Sequence, residues 1–280
     1  MPSDRSQAHG HREGDSHGGQ RGLTDPDYWD ATWNAISLPQ VLSFEHHVNR
    51  RWDDLFSRYL AGHRGATVVE VGCAPGSYLI YFHDRWGLTV TGIESSPVGA
   101  ALTRQNAEMT GTPIRVIEAD LFDPSIDERF DVVWSGGLVE HFEDLAVPLA
   151  RLRQLVAPGG LLITSVPNLN DSLYTSLTRR INPATLSVHR VVAPSDLSKA
   201  YRDLGLEVAK VGYFGTWNLE VVNFGAHHRM QVWANRMDRG IGRVLGAIRA
   251  RGEGRWLSPY VVAVGRAPTS PITASPSRSR

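Results

Sequence analysis

Cysteine occurs once in the 280 residues, at Cys73. A single thiol excludes an internal disulfide and any zinc site built from several cysteines. Lysine is nearly as scarce: Lys199 and Lys210 are the whole supply, and arginine carries the rest of the positive charge. An excess of either sign is also missing, with 29 basic residues against 29 acidic ones. A general nucleic-acid binder would more often be basic overall. No uninterrupted apolar run approaches the ~18 residues of a membrane span. The N-terminal stretch is polar and lacks the apolar segment of a secretion signal. A cytoplasmic protein is the expectation.

What is present is enough for one substantial core: 41% of the residues are apolar, and single domains commonly reach ~250 residues. Residues 1–23 are mostly Gly, His, Ser, Arg and Asp and read as a disordered tail, in which His9, His11 and His17 are solvated. Residues 268–280 are rich in Pro, Ser and Thr and read the same way. The folded unit is then 24–267. Strand candidates are Thr67–Val71, Thr89–Ile93, Arg115–Glu118, Asp131–Trp134, Leu161–Val166, Glu207–Tyr213 and Tyr260–Gly265, with helical patterns between most of them. Two helical segments, Asp27–Ile36 and Val41–Leu60, precede the first strand. Alternation of this kind predicts βαβ units and a parallel sheet covered on both faces.

The first strand runs into Gly72-Cys73-Ala74-Pro75-Gly76-Ser77, and a helix pattern follows from Tyr78 to Trp86. Glycines here let backbone approach a ligand closely, and ligands of doubly wound sheets sit outside the carboxyl ends of the strands. The loop is a nucleotide cradle. It departs from the dinucleotide fingerprint because its spacing is Gly-x-x-x-Gly and because Glu70 lies inside the end of the strand. Glu94 closes the second strand, where a carboxylate can accept both hydroxyls of a ribose.

Taken in order, these motifs resemble the class I S-adenosylmethionine-dependent methyltransferases over residues 65–215, in particular the small-molecule enzymes of the ubiquinone-biosynthesis O-methyltransferase type. Glu70, Gly72, Ala74 and Gly76 are similar to that family's Glu-x-Gly-x-Gly-x-Gly loop, with Ala74 in place of the middle glycine. Ala is tolerable there if its φ stays negative. Ala119-Asp120-Leu121 is similar to the motif that meets adenine, and Phe130–Val133 and Leu155–Leu162 to the fourth strand and the turn into the fifth. The resemblance implies a single Rossmann-like α/β domain with a seven-stranded, mostly parallel sheet, an antiparallel last strand and helices on both faces. Acceptor-site insertions fall at about 168–195 and 214–256. It implies S-adenosyl-L-methionine as cofactor, held by Glu70, Gly72, Cys73, Ala74, Gly76, Glu94, Ser95, Asp120, Leu121, Ser135 and Gly136.

Methyl transfer from a sulfonium is an in-line displacement, so alignment of nucleophile, methyl and sulfur dominates. A hydroxyl acceptor also needs its proton removed. The segment Ser135–Phe142 follows the fourth strand and contains Glu140 and His141. His141 is the first candidate for base or acceptor contact, since a neutral imidazole is available near pH 7. The alternative is a histidine that orients the loop. Glu140 either orients the methionine end or a base, or starts a helix. His189, in the insertion after the fifth strand, is the second candidate base. Tyr28 and Trp29 resemble an aromatic lid, or dock a helix on the sheet edge. Tyr213 and Trp217 line the acceptor pocket or pack beneath it. No acidic cluster with ligand-like spacing stands near the fourth strand, so no metal is expected.

Residues 227–255 combine seven arginines with apolar residues at helical spacing. This is an amphipathic cover helix with a solvated basic face, a contact for an anionic membrane surface or lipid substrate, or a surface that meets an acidic or phosphorylated acceptor. The expected reaction is methylation of a small molecule, most simply at oxygen. A ribose 2′-O-methyltransferase has a similar Gly-Cys-Ala-Pro-Gly loop, but its Lys-Asp-Lys-Glu tetrad cannot be assembled from Lys199 and Lys210, and nucleic acid is not the expected partner. A cofactor-binding protein without transfer activity is the other rival. Oligomeric state and acceptor identity are not readable at this level.

Overall fold

Runs of β-branched residues separated by capped amphipathic segments generate the architecture. The structure is a computed structural model that describes residues 22–24, 26–222, 224, 228–247 and 252–269. The expected tails lie almost wholly outside the described residues. Helices α1 (Pro26–Asn34) and α2 (His47–Leu60) precede strand β1 (Thr67–Val71). There follow α3 (Ser77–Trp86), β2 (Thr89–Glu94), α4 (Pro97–Thr110), β3 (Ile114–Glu118), β4 (Phe130–Gly136), α5 (Ala146–Gln154) and β5 (Val156–Pro167). The second half comprises α6 (Leu173–Ile181), α7 (Ala184–Ser187), α8 (Pro194–Asp203), β6 (Glu207–Phe214), α9 (His228–Ala247) and β7 (Tyr260–Arg266). Three-residue 3-10 turns sit at Val139–His141 and Leu219–Val221.

The sheet order is β3-β2-β1-β4-β5-β7-β6. Strands β1 to β5 pair in parallel, while β7 runs antiparallel to both β5 and β6. The expected seven-stranded sheet with one antiparallel strand is therefore present. The chain winds outward from β1 through β2 and β3, then returns to build β4 and β5 on the other side. This makes the gap above β1 and β4 the switch point, where open α/β sheets take their ligands.

The period-2 alternation of strand side chains divides the core between two faces. Val69, Val133, Leu162 and Val261 pack toward α5 and α8, whereas Val68, Val132, Leu161 and Val262 pack toward α2 and α3. On the second face, Trp52 lies 5.5 Å from Trp134 and 4.2 Å from Phe214. Aromatic contacts like these add about 0.5–1.5 kcal/mol each beyond area burial, and they fix the indole of Trp134 directly under the switch point.

Two expectations about elements need correction. The helix anticipated over Val41–Leu60 starts only at His47. The Asn49 side chain donates to Ser43 O (2.9 Å) and the Arg50 guanidinium donates to Phe44 O and Glu45 O, so residues 43–46 are held as a turn. The turn at Pro158–Gly160 lies inside a longer fifth strand. Phe130 pairs with Val156 and Val132 with Leu161, so residues 157–160 are looped out, with Gly159 at φ 76°.

Candidate active site

The loop after β1 is tied down by backbone bonds before any ligand is considered. The amides of Gly72 and Cys73 both donate to Ile93 O, at 2.9 and 3.3 Å, and Gly76 N donates to Cys73 O at 2.6 Å. Gly76 caps α3 at φ 89°, and a Cβ there would meet Thr103 Cγ2 at 2.9 Å. Shape and backbone both require glycine. Gly72 (φ 72°) sits under Leu138. Ala74 is not among the residues with positive φ, which meets the condition under which it can replace glycine.

Glu70 is the penultimate residue of β1 and is buried. Its Oε1 accepts from Trp134 Nε1 (3.2 Å), while Oε2 has no hydrogen-bond partner among the described residues. Burial pushes its carboxyl well above the ordinary range; the Trp134 bond opposes this and the charge of Glu94 reinforces it. Ser135 Oγ, near the end of β4, is likewise buried without a partner among the described residues. Orphaned polar atoms at the switch point suit a ligand that brings its own donors and acceptors. Gly136 is exposed beside them, and a Cβ on it would strike Trp134 at 2.8 Å.

Glu94 closes β2 with one oxygen on Ser96 N (3.0 Å) and the other on Ala74 N (3.2 Å). Burial pushes its carboxyl up, these two amides and that of Ser95 pull it down, and Asp30 adds to the push. Ser95 beside it is exposed. Cys73 is buried at the base of the loop, with its thiol 4.0 Å from Thr103 Oγ1. Asp120 is exposed and accepts from Phe122 N at 2.7 Å, so its carboxylate shapes its own turn. The carbonyl of Leu121, and those of Asp123 and Ile126, accept from the Arg151 guanidinium, which pins this loop to α5.

Past β4, Glu140, His141 and His189 converge. One ligand-type atom from each lies within 4.8 Å of the others, and the imidazole rings are 4.3 Å apart. Expectation had treated the histidines as alternatives and had foreseen no metal-ligating group; the structure puts both histidines and the acid together. His141 Nδ1 bonds Val188 O at 2.7 Å and His189 Nδ1 bonds Thr185 O at 2.7 Å. A carbonyl only accepts, so each Nδ1 carries the proton and each Nε2 presents a bare lone pair. Burial, followed by the neighbouring His189, pushes His141 down to about 3. Burial also lowers His189 and pushes Glu140 up to about 8. At neutral pH the cluster is therefore two neutral imidazoles and a largely protonated carboxyl.

Helix α1 covers this edge. Trp29 meets His141 edge-on at 5.0 Å and stacks on Trp33 at 5.9 Å, with Tyr28 against Trp29 at 5.1 Å. Tyr213 packs against the core cluster that includes Val139 and pairs with Val261 of β7, its hydroxyl accepting from Asn170 Nδ2 at 3.3 Å. Trp217 lies elsewhere. It belongs to a small cluster with Tyr174, Leu219 and Ala234, and its indole donates to Asp238 (2.6 Å), the acid that α9 buries.

Four structural contributors escaped sequence reasoning: Asp30, Ser96, Asn106 and Arg151. Only Ser96 carried a signal, as a serine N-cap before a helix-opening proline. Asn106 is fully buried, donates to Pro75 O and Gln40 O (both 2.8 Å), and accepts from Gln40 N (2.9 Å). One amide thus braces the loop after β1 from below.

Comparison with known proteins matches this geometry. The family model described as "Methyltransferase domain" matches residues 44–211. The ubiquinone biosynthesis O-methyltransferase of Paramagnetospirillum magneticum is 30% identical over 156 residues, covering 52% of this chain and 61% of that protein. This chain therefore spans less than two thirds of that relative. The same-named enzyme of Alkalilimnicola ehrlichii is 28% identical over 209 residues, covering 66% and 84%. Among solved structures, magnesium protoporphyrin IX methyltransferase from Synechocystis PCC 6803 with bound S-adenosylhomocysteine shares the fold. Its TM-score is 0.56 at 16% identity, covering 86% of this chain and 97% of that one. The cyclase SpnF shares the fold too, at TM-score 0.53 and 16% identity over 79% and 81%. The chain belongs to the methyltransferase-domain family.

Proposed function

We propose that this chain methylates a phenolic or similarly acidic hydroxyl on a small-molecule acceptor. S-adenosylmethionine supplies an electrophilic methyl on a sulfonium when bound. Gly72, Cys73, Ala74 and Gly76 would cradle it, Glu94 and Ser95 would take its ribose, and Asp120 with the Leu121 amide its adenine. Glu70, Ser135 and Gly136 would face its methionine end. Tyr28 and Trp29 would cover it.

The observation that carries the acceptor reading is the pair of bare Nε2 atoms on His141 and His189 beside Glu140. Each bare Nε2 accepts one hydrogen bond, and an acceptor hydroxyl has one proton to give to one of them. An imidazole lowered this far is a weak base, so it serves an acceptor that gives up its proton readily. A phenol, with pKa ~10 as for tyrosine, fits better than an aliphatic alcohol. Tyr213 stands on the same side of the core and is the remaining wall candidate. Support from relatives points the same way, since two of them are named as O-methyltransferases. A labelled-methyl assay across phenols, catechols, alcohols and amines tests this. Transfer confined to amines or aliphatic alcohols would refute it. His141→Ala should lower turnover at least about 100-fold, the lower end for a positioned acid–base group, while cofactor affinity stays within about twofold.

A second reading rests on the same three residues. Glu140, His141 and His189 offer the ligand number of an open divalent-cation site, whose cation would acidify a bound hydroxyl. Activity lost on chelation and restored by a stoichiometric divalent ion would favour it; activity indifferent to chelator would leave the imidazoles acting alone. A small-molecule partner and a cytoplasmic location accompany either reading. A peripheral membrane contact is the finer partner assignment. Arg236 and Arg243 are exposed on α9 without an acidic partner among the described residues, next to exposed Trp233 and Val244.

A further inference from the structure

Helix α1 is fastened to the cofactor edge through one hydrogen-bonded chain. Ser96 Oγ donates to Asp30 Oδ1 at 2.5 Å and accepts from Gly99 N at 2.9 Å, while Ser96 N donates to Glu94 Oε1 at 3.0 Å. Asp30 is thereby linked to the acid that ends β2 through a single residue. The next turn of α1 reinforces the contact. A Cβ on Gly99 would lie 2.7 Å from Trp33 Cδ1, 2.8 Å from Trp33 Nε1 and 3.0 Å from the Cβ of Ala74, so the indole rests directly on the start of α4 beside the cofactor loop. Trp33 Nε1 is buried there with no acceptor among the described residues. At its other end, α1 reaches the histidine cluster through Trp29, and the segment before it is bonded there by Leu23 N to His141 O at 2.6 Å.

Proton counting gives Asp30 its task. A serine hydroxyl has one proton. While that proton is given to Asp30, it cannot be given to Glu94. Among the described residues Glu94 takes backbone amides alone, from Ser96, Ala74 and Ser95, and keeps its remaining lone-pair capacity for the ribose. We propose that Asp30 is a positioning residue for the cofactor's ribose: it holds Ser96 so that Glu94 stays aimed and unblocked, and it makes ribose recognition depend on α1 being docked. This rests on reading Glu94 as the ribose acid. Without Asp30 the Ser96 hydroxyl is free to rotate, and α1 loses the one charged tether it has to the sheet edge among the described residues.

The test is calorimetry on the full chain with S-adenosylhomocysteine and with its 2′,3′-dideoxy analogue. Asp30→Ala should weaken S-adenosylhomocysteine by about five- to twentyfold, the scale of one or two hydrogen bonds. It should weaken the dideoxy analogue by less than about twofold, because that ligand has no hydroxyls for Glu94. Asp30→Asn keeps an oxygen acceptor and should restore binding to within about twofold of wild type. Equal losses for the two ligands would mean that α1 acts only as a general cover. That result overturns the proposal, as does an unchanged affinity in Asp30→Ala or a failure of Asn to restore it. A wild-type chain that bound neither ligand would overturn the cofactor reading itself, which is a different result from any of these.

Discussion

Gly92 sits in the middle of β2, two residues before Glu94, and no ligand role attaches to it. A Cβ at this position would lie 2.5 Å from Cys73 Sγ, 2.9 Å from Leu79 Cδ1 and 3.1 Å from Cys73 Cβ. Neither neighbour has room to retreat. Leu79 and Cys73 are almost completely buried, and the amides of Gly72 and Cys73 are bonded to Ile93 O on the same strand as Gly92. Gly92→Ala should therefore overpack the core by about 1–3 kcal/mol. For a domain of this size each kcal/mol moves the melting temperature by about 2–4 °C, so a fall of roughly 2–12 °C is expected. The strain falls on the loop after β1, whose Ala74 amide reaches Glu94, so affinity for S-adenosylhomocysteine should fall with it. Adding Cys73→Ala removes the atom at 2.5 Å and leaves the tip of Leu79 as the closest partner. The double variant should recover more than half of both losses, a coupling within the ~0.5–3 kcal/mol seen for contacting residues. Thermal melting and calorimetry on the two single variants and the double variant read this directly. A Gly92→Ala protein that melts with the wild type, or a Cys73→Ala change that only adds its own loss, would refute the packing argument.

Two further outcomes concern the acids. Glu94→Ala should weaken cofactor binding by roughly 1.5–3 kcal/mol, the scale of charged hydrogen bonds; unchanged affinity in calorimetry would remove Glu94 from the site. Glu70→Gln should raise the melting temperature of the ligand-free protein more at pH 8 than at pH 5. Burial holds the Glu70 carboxyl well above its ordinary value, so the folded state keeps a proton that the unfolded chain releases. Its contribution is then complete below the unfolded pKa and declines as pH rises toward the folded one. The glutamine does not titrate, so its advantage grows with pH. A difference that is flat or larger at pH 5 would show that Glu70 is not carried as a buried acid.

The elements around β1 were legible because their signals are local. Alternating valines mark the strand, glycines mark a turn with positive φ, and the acids at the ends of β1 and β2 sit at fixed positions in sequence. The helix over Val41–Leu60 was misplaced because apolar spacing continues through residues 41–46 while Asn49 and Arg50 capture their carbonyls. That competition between side chain and helix does not show in periodicity. The Asp30–Ser96 bond and the Asn106 brace each join residues 66 positions apart or bridge separate loops. Nothing in the local pattern announces them. His141 and His189 were each visible, but their convergence depends on the bond from His141 to Val188 O, 47 residues on, and so on the path of the insertion after β5. Trp217, three residues past β6, reads from sequence as lining the acceptor pocket or packing beneath it; its bond to the buried Asp238 of α9 is the part that no local pattern announces.

The position of β7 also sets an order of assembly. It lies between β5 and β6 and hydrogen-bonds to both, with Val261, Val262, Ala263 and Val264 wholly buried. A chain still emerging from the ribosome can pair β1 through β5 as each strand appears. It then holds β6 with no neighbour until about residue 266 is free. During that interval the outer edge of β5 is an open template for another strand. Strand β7 is thus a wedge that seals the sheet. Without it the facing edges of β5 and β6 would both be unpaired, so closure of this sheet waits on the residues up to Arg266.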